Sequence, residues 1–184
     1  MKNERPYKEF IQQMLNDYQR RVYAATRNLS LAEIYWQPSQ DANSIGFIFW
    51  HVARVEDRLV TWCIEGREEI WIRDNWHGKT KLPKEATGLD YSSQEVTRFP
   101  KISNTLLADY FEAVRSNTFK YLASAGGEWF DSVPERTPFP ENTDATKHFK
   151  EFTIGRYFRQ LISEENQHLG QISYIRGLQR GINN

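Results

Sequence analysis

Two histidines and an acidic residue lie at positions where they could bind one metal ion. Glu164 and His168 are four residues apart in a segment with helical periodicity, so their side chains would project from one helix face. His51 lies in the apolar stripe of an earlier helical segment and could supply a third ligand. Two imidazoles and a carboxylate form a facial triad, which leaves coordination positions open for water or substrate. We therefore expect a mononuclear divalent metal site at these three residues.

Glu165 is the alternative carboxylate, because Glu165 and His168 have the three-residue spacing found in di-iron bundles. Those bundles need a second such pair and two more glutamates. The earlier helical segment offers only Glu56 and Asp57, which follow its histidine, so a two-metal centre is not expected. The sequence leaves the choice between Glu164 and Glu165 open. If Glu164 is the ligand, Glu165 could act as a general base.

A hydrogen-bonded core is the competing interpretation of the same residues. A single inward histidine is usually a core residue with a hydrogen-bonded ring, and Glu164 could be a core acid tied to His51 or His168. The combination of two histidines and an acid favours a ligand set, because a buried carboxylate needs a partner.

Two further reactive side chains are expected to lie outside the site. Cys63 follows His51 by 12 residues, about 18 Å along a continuous helix, and we expect a buried, inert thiol. As the single cysteine, it permits no internal disulfide and no cysteine-based zinc site. His77 is expected on the surface of a long loop, although it could approach the mouth of the site as an acid, a base or an extra ligand.

Four long segments show the spacing of apolar residues that is typical of amphipathic helices. They extend approximately over residues 7–28, 44–66, 103–126 and 153–180. Since no segment has a convincing strand pattern, the sequence predicts an all-α four-helix bundle that forms one domain over residues 1–184. The charged residues of the second helix are expected on its outer side: Arg54, Glu56, Asp57 and Arg58.

The connection between the second and third helices, residues 67–101, shows no sustained period. It is long enough to return along the bundle, which permits an up-down-down-up order with the second and fourth helices antiparallel. His51 lies seven residues after Ser44, and His168 lies 12 residues before Arg180. At about 1.5 Å per residue the two histidines would differ in depth by only about 7 Å, so both could contribute to one site.

Composition argues against several classes of function. The 24 basic and 24 acidic residues give zero net charge, which excludes a strong general attraction to nucleic acid or to an anionic membrane. The longest apolar run, residues 45–50, is far shorter than the roughly 20 residues of a membrane span. The first six residues do not resemble a signal peptide. We expect a cytoplasmic protein with no membrane or nucleic-acid partner.

Two segments resemble the DinB/YfiT superfamily. Residues 43–57 (NSIGFIFWHVARVED) are similar to its second-helix signature, and residues 164–178 (EENQHLGQISYIRGL) are similar to its more specific fourth-helix signature. The long first helix and residues 76–78 (WHG) are compatible with the family, and the resemblance spans nearly the whole chain. It implies a four-helix bundle in up-down-down-up order, often a homodimer.

The resemblance also implies a divalent metal bound by three histidines, one from the second helix and two from the fourth. The first and last of these fall on His51 and His168, but the middle one is replaced by Glu164. Glutamate can bind zinc, nickel, iron or manganese, so the site could persist with other metal preferences or be degenerate. Some superfamily members transfer low-molecular-weight thiols or isomerise thiol adducts.

Together these features predict a metal-dependent enzyme that acts on a small molecule by hydrolase or thiol-transferase chemistry. The alternative is a non-catalytic, stress-related bundle with a degenerate metal site. Such a protein would act through homodimerisation or through a protein partner.

Overall fold

Helices make up the regular structure of the part of the chain that the computed structural model describes, residues 5–126, 128–139 and 143–181. In chain order they are α1 (Arg5–Thr26), α2 (Leu31–Ile34), α3 (Ile45–Glu56), α4 (Ile70–Arg73), α5 (Trp76–Thr80), α6 (Ser93–Thr97), α7 (Asn104–Ser124), α8 (Asp144–Phe149) and α9 (Ile154–Arg180). A π-helical segment (Asp57–Ile64) continues α3, and a 3₁₀ turn (Trp129–Asp131) follows α7. No strand occurs in these residues, which confirms the predicted all-α fold. None of the helices in the described ranges has the length and apolar character needed to cross a membrane.

The long helices α1, α3, α7 and α9 form the predicted bundle. The ends of α1 and α9 meet where Arg176 donates a hydrogen bond to the carbonyl of Ala25 (3.1 Å), so these two helices run in the same direction. The start of α1 meets the end of α7, where Lys8 donates to the carbonyl of Ala125. The helix α7 is therefore antiparallel to α1 and α9.

Contacts between α3 and α7 advance in the same direction along both helices. Arg54 donates to the hydroxyl of Tyr110 (3.2 Å), and further along Asn117 donates to the hydroxyl of Thr61 (3.3 Å). Since α3 and α7 are parallel to each other and antiparallel to the other two, the order is up-down-down-up, as predicted.

Hydroxyl side chains fix the start of both helices that carry the candidate ligands. Ser44 accepts a hydrogen bond from the backbone N–H of Phe47 (3.3 Å) at the start of α3. Thr153 accepts from the N–H of Arg156 (3.3 Å) at the start of α9. Such caps satisfy N–H groups that have no partner within the helix. They define where each helix begins, and so the position of every side chain along it.

The π-helical segment departs from the continuous α-helix that the sequence predicts up to residue 66. Its wider turns are visible in the hydrogen bond from the N–H of Glu65 to the carbonyl of Val60 (2.9 Å), which spans five residues. A wider turn rotates the following side chains relative to those of α3. The positions of residues beyond Glu56 therefore cannot be extrapolated from the α-helical period.

The prediction that α3 and its continuation turn their charged residues outward is wrong for three of four residues. Arg54 is 1% exposed, and Glu56 and Asp57 are fully buried. Only Arg58 keeps partial exposure. The long connection covers Arg54 and Asp57, and its Glu69 accepts from Arg54 (3.1 Å). Glu56 is instead buried against α7, where it accepts from Arg115 (2.9 Å). An apolar period cannot distinguish such ion pairs from solvated charges.

The connection over residues 67–101 is an ordered cover that contains α4, α5 and α6. It is anchored by the carboxylate of Asp57, which accepts hydrogen bonds from the backbone N–H groups of Ile70 (3.0 Å) and Trp71 (2.8 Å). Large apolar side chains of the cover, including Trp71, are buried in the core. The cover thereby holds its irregular segment, residues 81–92, against α3.

Candidate metal centre

His51, Glu164 and His168 meet where α3 packs against α9. One potential ligand atom from each side chain lies within 4.8 Å of the other two. The ring centres of the two histidines are 5.2 Å apart, with an angle of 84° between the ring planes. Nε2 of His168 lies 3.4 Å from Oε2 of Glu164. The structure thus brings together the three residues that were predicted from the sequence as metal ligands.

A backbone carbonyl of the cover orients His51. Its Nδ1 lies 2.8 Å from the carbonyl oxygen of Thr87. Because a carbonyl can only accept, Nδ1 carries the hydrogen and Nε2 keeps its lone pair. Burial lowers the pKa of His51, and the neighbouring His168 adds to this effect. The neutral imidazole is the form that binds metal ions.

Gly88 permits this close approach of the cover to His51. Its φ of +80° lies in the region that favours glycine. A Cβ atom at this position would lie only 2.8 Å from Nδ1 of His51. A side chain here would therefore disturb the hydrogen bond that orients the ring.

The other two candidate ligands are oriented by glutamines of α9. Nδ1 of His168 lies 3.3 Å from Oε1 of Gln171, which leaves Nε2 facing Glu164. Gln160 donates to Oε1 of Glu164 at 3.0 Å, which leaves Oε2 facing His168. The hydrogen bond with His168 lowers the pKa of Glu164, so its carboxylate is ionised. Partners of this kind commonly fix metal ligands in place.

The group therefore fits a divalent ion on the chemistry of its donors. Two imidazoles and one carboxylate suit zinc, nickel, iron or manganese better than magnesium or calcium, which prefer oxygen ligands. Each candidate ligand also has a separate hydrogen-bond partner for its other polar atom.

The roles of Gln160 and Thr87 as partners of the candidate ligands were not predicted from the sequence. Gln160 lies one turn before Glu164 on α9, and helical spacing could have indicated it. Thr87 lies in an irregular part of the cover and contributes a backbone atom, so residue type and spacing carry no signal for it.

The structure does not place Glu165 with the ligand group. Its side chain is fully buried, and its carboxylate accepts from Arg115, which also binds Glu56 (2.9 Å). Of the two adjacent glutamates, Glu164 is the one beside the histidines. The expected role of Glu165 as a general base stays a prediction, and the function proposed below does not use it.

Cys63 and His77 also lie apart from the ligand group. Cys63 is 2% exposed, and burial raises the pKa of its thiol to about 12. This agrees with the expected inert thiol. His77 lies on α5 and does not join the cluster of His51, Glu164 and His168 in the described ranges.

A pocket of about 240 Å³ adjoins the ligand group. Glu164 and Thr87 lie in its wall, and both belong to the arrangement described above. The rest of the lining is mainly apolar and comes from α3, the π-helical segment, the cover, the chain between α7 and α9, and Gln160 of α9. A small molecule in the pocket would therefore lie next to the candidate ligands.

These features define a class of protein, an up-down-down-up helical bundle with a His–Glu–His group between two of its helices. The family model described as the DinB superfamily matches residues 14–172. The chain belongs to the DinB superfamily, which confirms the resemblance found in the sequence.

A solved structure shares the fold. It is described as "Crystal structure of the conserved protein of locus from Enterococcus faecalis", is 22% identical in sequence and superposes with a TM-score of 0.77. The comparison covers 97% of each chain, so the similarity extends over the whole bundle. No curated protein matches the sequence.

Proposed function

We propose that the protein is a metal-dependent enzyme with a mononuclear site formed by His51, Glu164 and His168. The observation that carries the proposal is the convergence of three ligand atoms within 4.8 Å. Membership of the DinB superfamily supports it. A bound zinc, nickel, iron or manganese ion would supply Lewis acidity, which suits hydrolysis or thiol transfer.

The protein's own contribution is to hold the ligands ready and to leave space beside them. Thr87 keeps Nε2 of His51 unprotonated, and burial keeps that ring neutral. The pocket that includes Glu164 provides room for a small-molecule substrate. A site with three protein ligands leaves coordination positions for that substrate or for water.

Three alanine variants test the proposal. His51→Ala and His168→Ala should each lose binding of added zinc, nickel or manganese in calorimetry. They should also lose any activity found in a panel of ester hydrolysis and thiol-transfer assays. His77→Ala is the matched control, because it removes a histidine outside the group, and it should retain both. Metal retained by both of the first two variants would refute the site.

One observation favours the non-catalytic alternative. Nε2 of His168 already lies 3.4 Å from Oε2 of Glu164, and His51 is bound to Thr87, so the group could be stable as a hydrogen-bonded core. Under that alternative, the protein would reject added metal. Glu164→His would then restore three histidines and increase metal occupancy.

We also propose that the protein forms a homodimer, for which two exposed apolar residues give support. Tyr174 and Leu178 are 68% and 50% exposed and lie four residues apart on α9. Exposed apolar side chains that share a face are typical of an association surface. Light scattering should give the mass of two chains for the wild type and of one chain for the double variant Tyr174→Glu, Leu178→Glu. A monomeric wild type would contradict the proposal. A cytoplasmic location stays a prediction.

A further inference from the structure

The pocket beside Glu164 has the size and lining of a binding site for a ring. Its volume is about 240 Å³, and an apolar cavity of about 150 Å³ in another protein accommodates benzene. Apolar side chains of helices and loops form its walls: Val55, Leu59, Leu89, Phe139 and Phe149. The rings of the two phenylalanines are 5.5 Å apart and inclined by 51°. Aromatic edges and faces at this spacing provide favourable contacts for another ring.

The two arginines in the wall, Arg54 and Arg58, already form hydrogen bonds with other groups. Arg54 donates to the carbonyl of Ala86 (2.9 Å) and to Glu69 (3.1 Å), among other groups. Arg58 donates to Glu69 (3.0 Å) and to the carbonyl of Pro138 (3.1 Å). The carboxylates of Asp57 and Glu69 offset the positive charge of these two arginines, so the wall does not require an anionic occupant and its apolar side chains can hold a neutral ring.

One of the three candidate metal ligands and the residue that orients a second one lie in the wall of the pocket. Glu164 lies in the wall and is 29% exposed. Thr87 also lies in the wall, and its carbonyl orients His51. A molecule with an apolar group in the pocket would therefore present its adjoining polar group to the candidate metal centre.

We propose that this pocket binds an aromatic ring, of a size between benzene and indole, in a substrate whose reacting polar group lies at the metal centre. The proposal rests on the proposed function for the identity of the reacting end. The ring itself is recognised by the chain's own apolar side chains, with or without the ion.

Two hydroxamates that bind the zinc-loaded protein test the metal-binding end and the ring end of the proposed substrate separately. Acetohydroxamate and benzohydroxamate have the same metal-binding head, but only the second has a ring. Burial of roughly 100 Å² of ring surface corresponds to about 70-fold tighter binding. We expect calorimetry to show benzohydroxamate binding tighter by about this factor. Equal affinities for the two compounds would overturn the proposal and leave the metal centre intact.

Two leucine-to-tryptophan variants provide the matched comparison. Leu89 lines the pocket and is 40% exposed, whereas Leu31 lies on α2 and is 46% exposed. Leu89→Trp should fill the pocket, reduce the preference for benzohydroxamate to less than about threefold and leave acetohydroxamate binding unchanged. Leu31→Trp should behave as the wild type. Similar exposure makes both substitutions equally mild for folding, and Val55→Phe is a second way to fill the pocket.

Toluene in zinc-free protein isolates the pocket from the metal. It has no metal-binding group, so its binding reports the apolar walls alone. We expect toluene to bind the wild type and Leu31→Trp, and to bind Leu89→Trp and Val55→Phe at least tenfold more weakly. Failure of the wild type to bind toluene would overturn the proposal. Toluene binding in a protein that takes up no zinc would preserve the ring site and refute the proposed function instead.

Discussion

Removal of Arg115 should destabilise the fold more than any single change at the candidate metal centre. Its guanidinium pairs with Glu56 at 2.9 Å and with Glu165, and it also donates to the carbonyl of Leu15 (2.5 Å). All three charged side chains are at most 1% exposed. Arg115→Met would leave the side chains of Glu56 and Glu165 buried without the guanidinium that binds both. Breaking a buried pair in this way costs about 3–5 kcal/mol, a large share of the roughly 5–15 kcal/mol that stabilises most domains.

Glu165→Gln provides the matched comparison at the same cluster. Burial raises the pKa of Glu165 well above its ordinary value despite the opposing charge of Arg115, and the negative charge of Glu56 adds to the increase. The raised pKa favours the protonated form of Glu165, and glutamine resembles that form. We expect Glu165→Gln to change the free energy of unfolding by less than about 1 kcal/mol, as measured by guanidinium chloride denaturation.

The raised pKa of Glu165 determines whether the stability of the fold rises or falls with pH. Because the folded pKa of Glu165 exceeds the unfolded value, the folded state binds the extra proton and stability falls as pH rises above the unfolded pKa of about 4.3. Glu165→Gln should remove this decline, so its stability relative to the wild type should improve as the pH rises above about 5. Equal destabilisation by Arg115→Met and Glu165→Gln, or a wild-type slope that persists in the glutamine variant, would refute the reasoning.

Three further predictions concern other sites in the molecule. Gly88→Ala should weaken zinc binding about tenfold or more in calorimetry, because its Cβ would crowd His51. Gly66→Ala, which has a similar positive φ but open space around it, should leave zinc binding unchanged, and an equal loss in both variants would contradict this explanation. Cys63 should react with a thiol reagent at pH 8 only after unfolding, because the pKa of its thiol is raised to about 12; rapid labelling of the folded protein would oppose it. Asp57→Ala should lower the free energy of unfolding by about 3 kcal/mol in urea denaturation, because the buried N–H groups of Ile70 and Trp71 and the guanidinium of Arg54 lose their acceptor. A loss below about 1 kcal/mol would contradict this prediction and show that other groups replace the Asp57 carboxylate.

The helices and the ligand group were accessible from the sequence because both follow helical spacing. The predicted helix starts near residues 44 and 153 agree with the hydroxyl caps that Ser44 and Thr153 form in the structure. The four-residue spacing placed Glu164 and His168 on one face of α9. The opposite directions of α3 and α9 then brought His51 to the same depth.

The burial of the charged residues and the packing of the cover could not be predicted from the sequence in the same way. The sequence predicted Arg54 and Glu56 on the outer side of the helix, because a charged residue outside the apolar stripe is expected to face solvent. Their burial depends on partners far away in the chain, such as Arg115 for Glu56 and Glu69 for Arg54. The carbonyl of Thr87 is likewise a backbone atom of an irregular segment, whose position depends on the packing of the whole cover.

The metal content of the purified protein tests the central claim most directly. Tag-free wild type, purified without chelators, should contain close to one zinc, nickel, iron or manganese ion per chain by mass spectrometry. His51→Ala and His168→Ala should contain little, and His77→Ala should match the wild type. A wild type that is empty and also rejects added metals would contradict the claim and favour the hydrogen-bonded core.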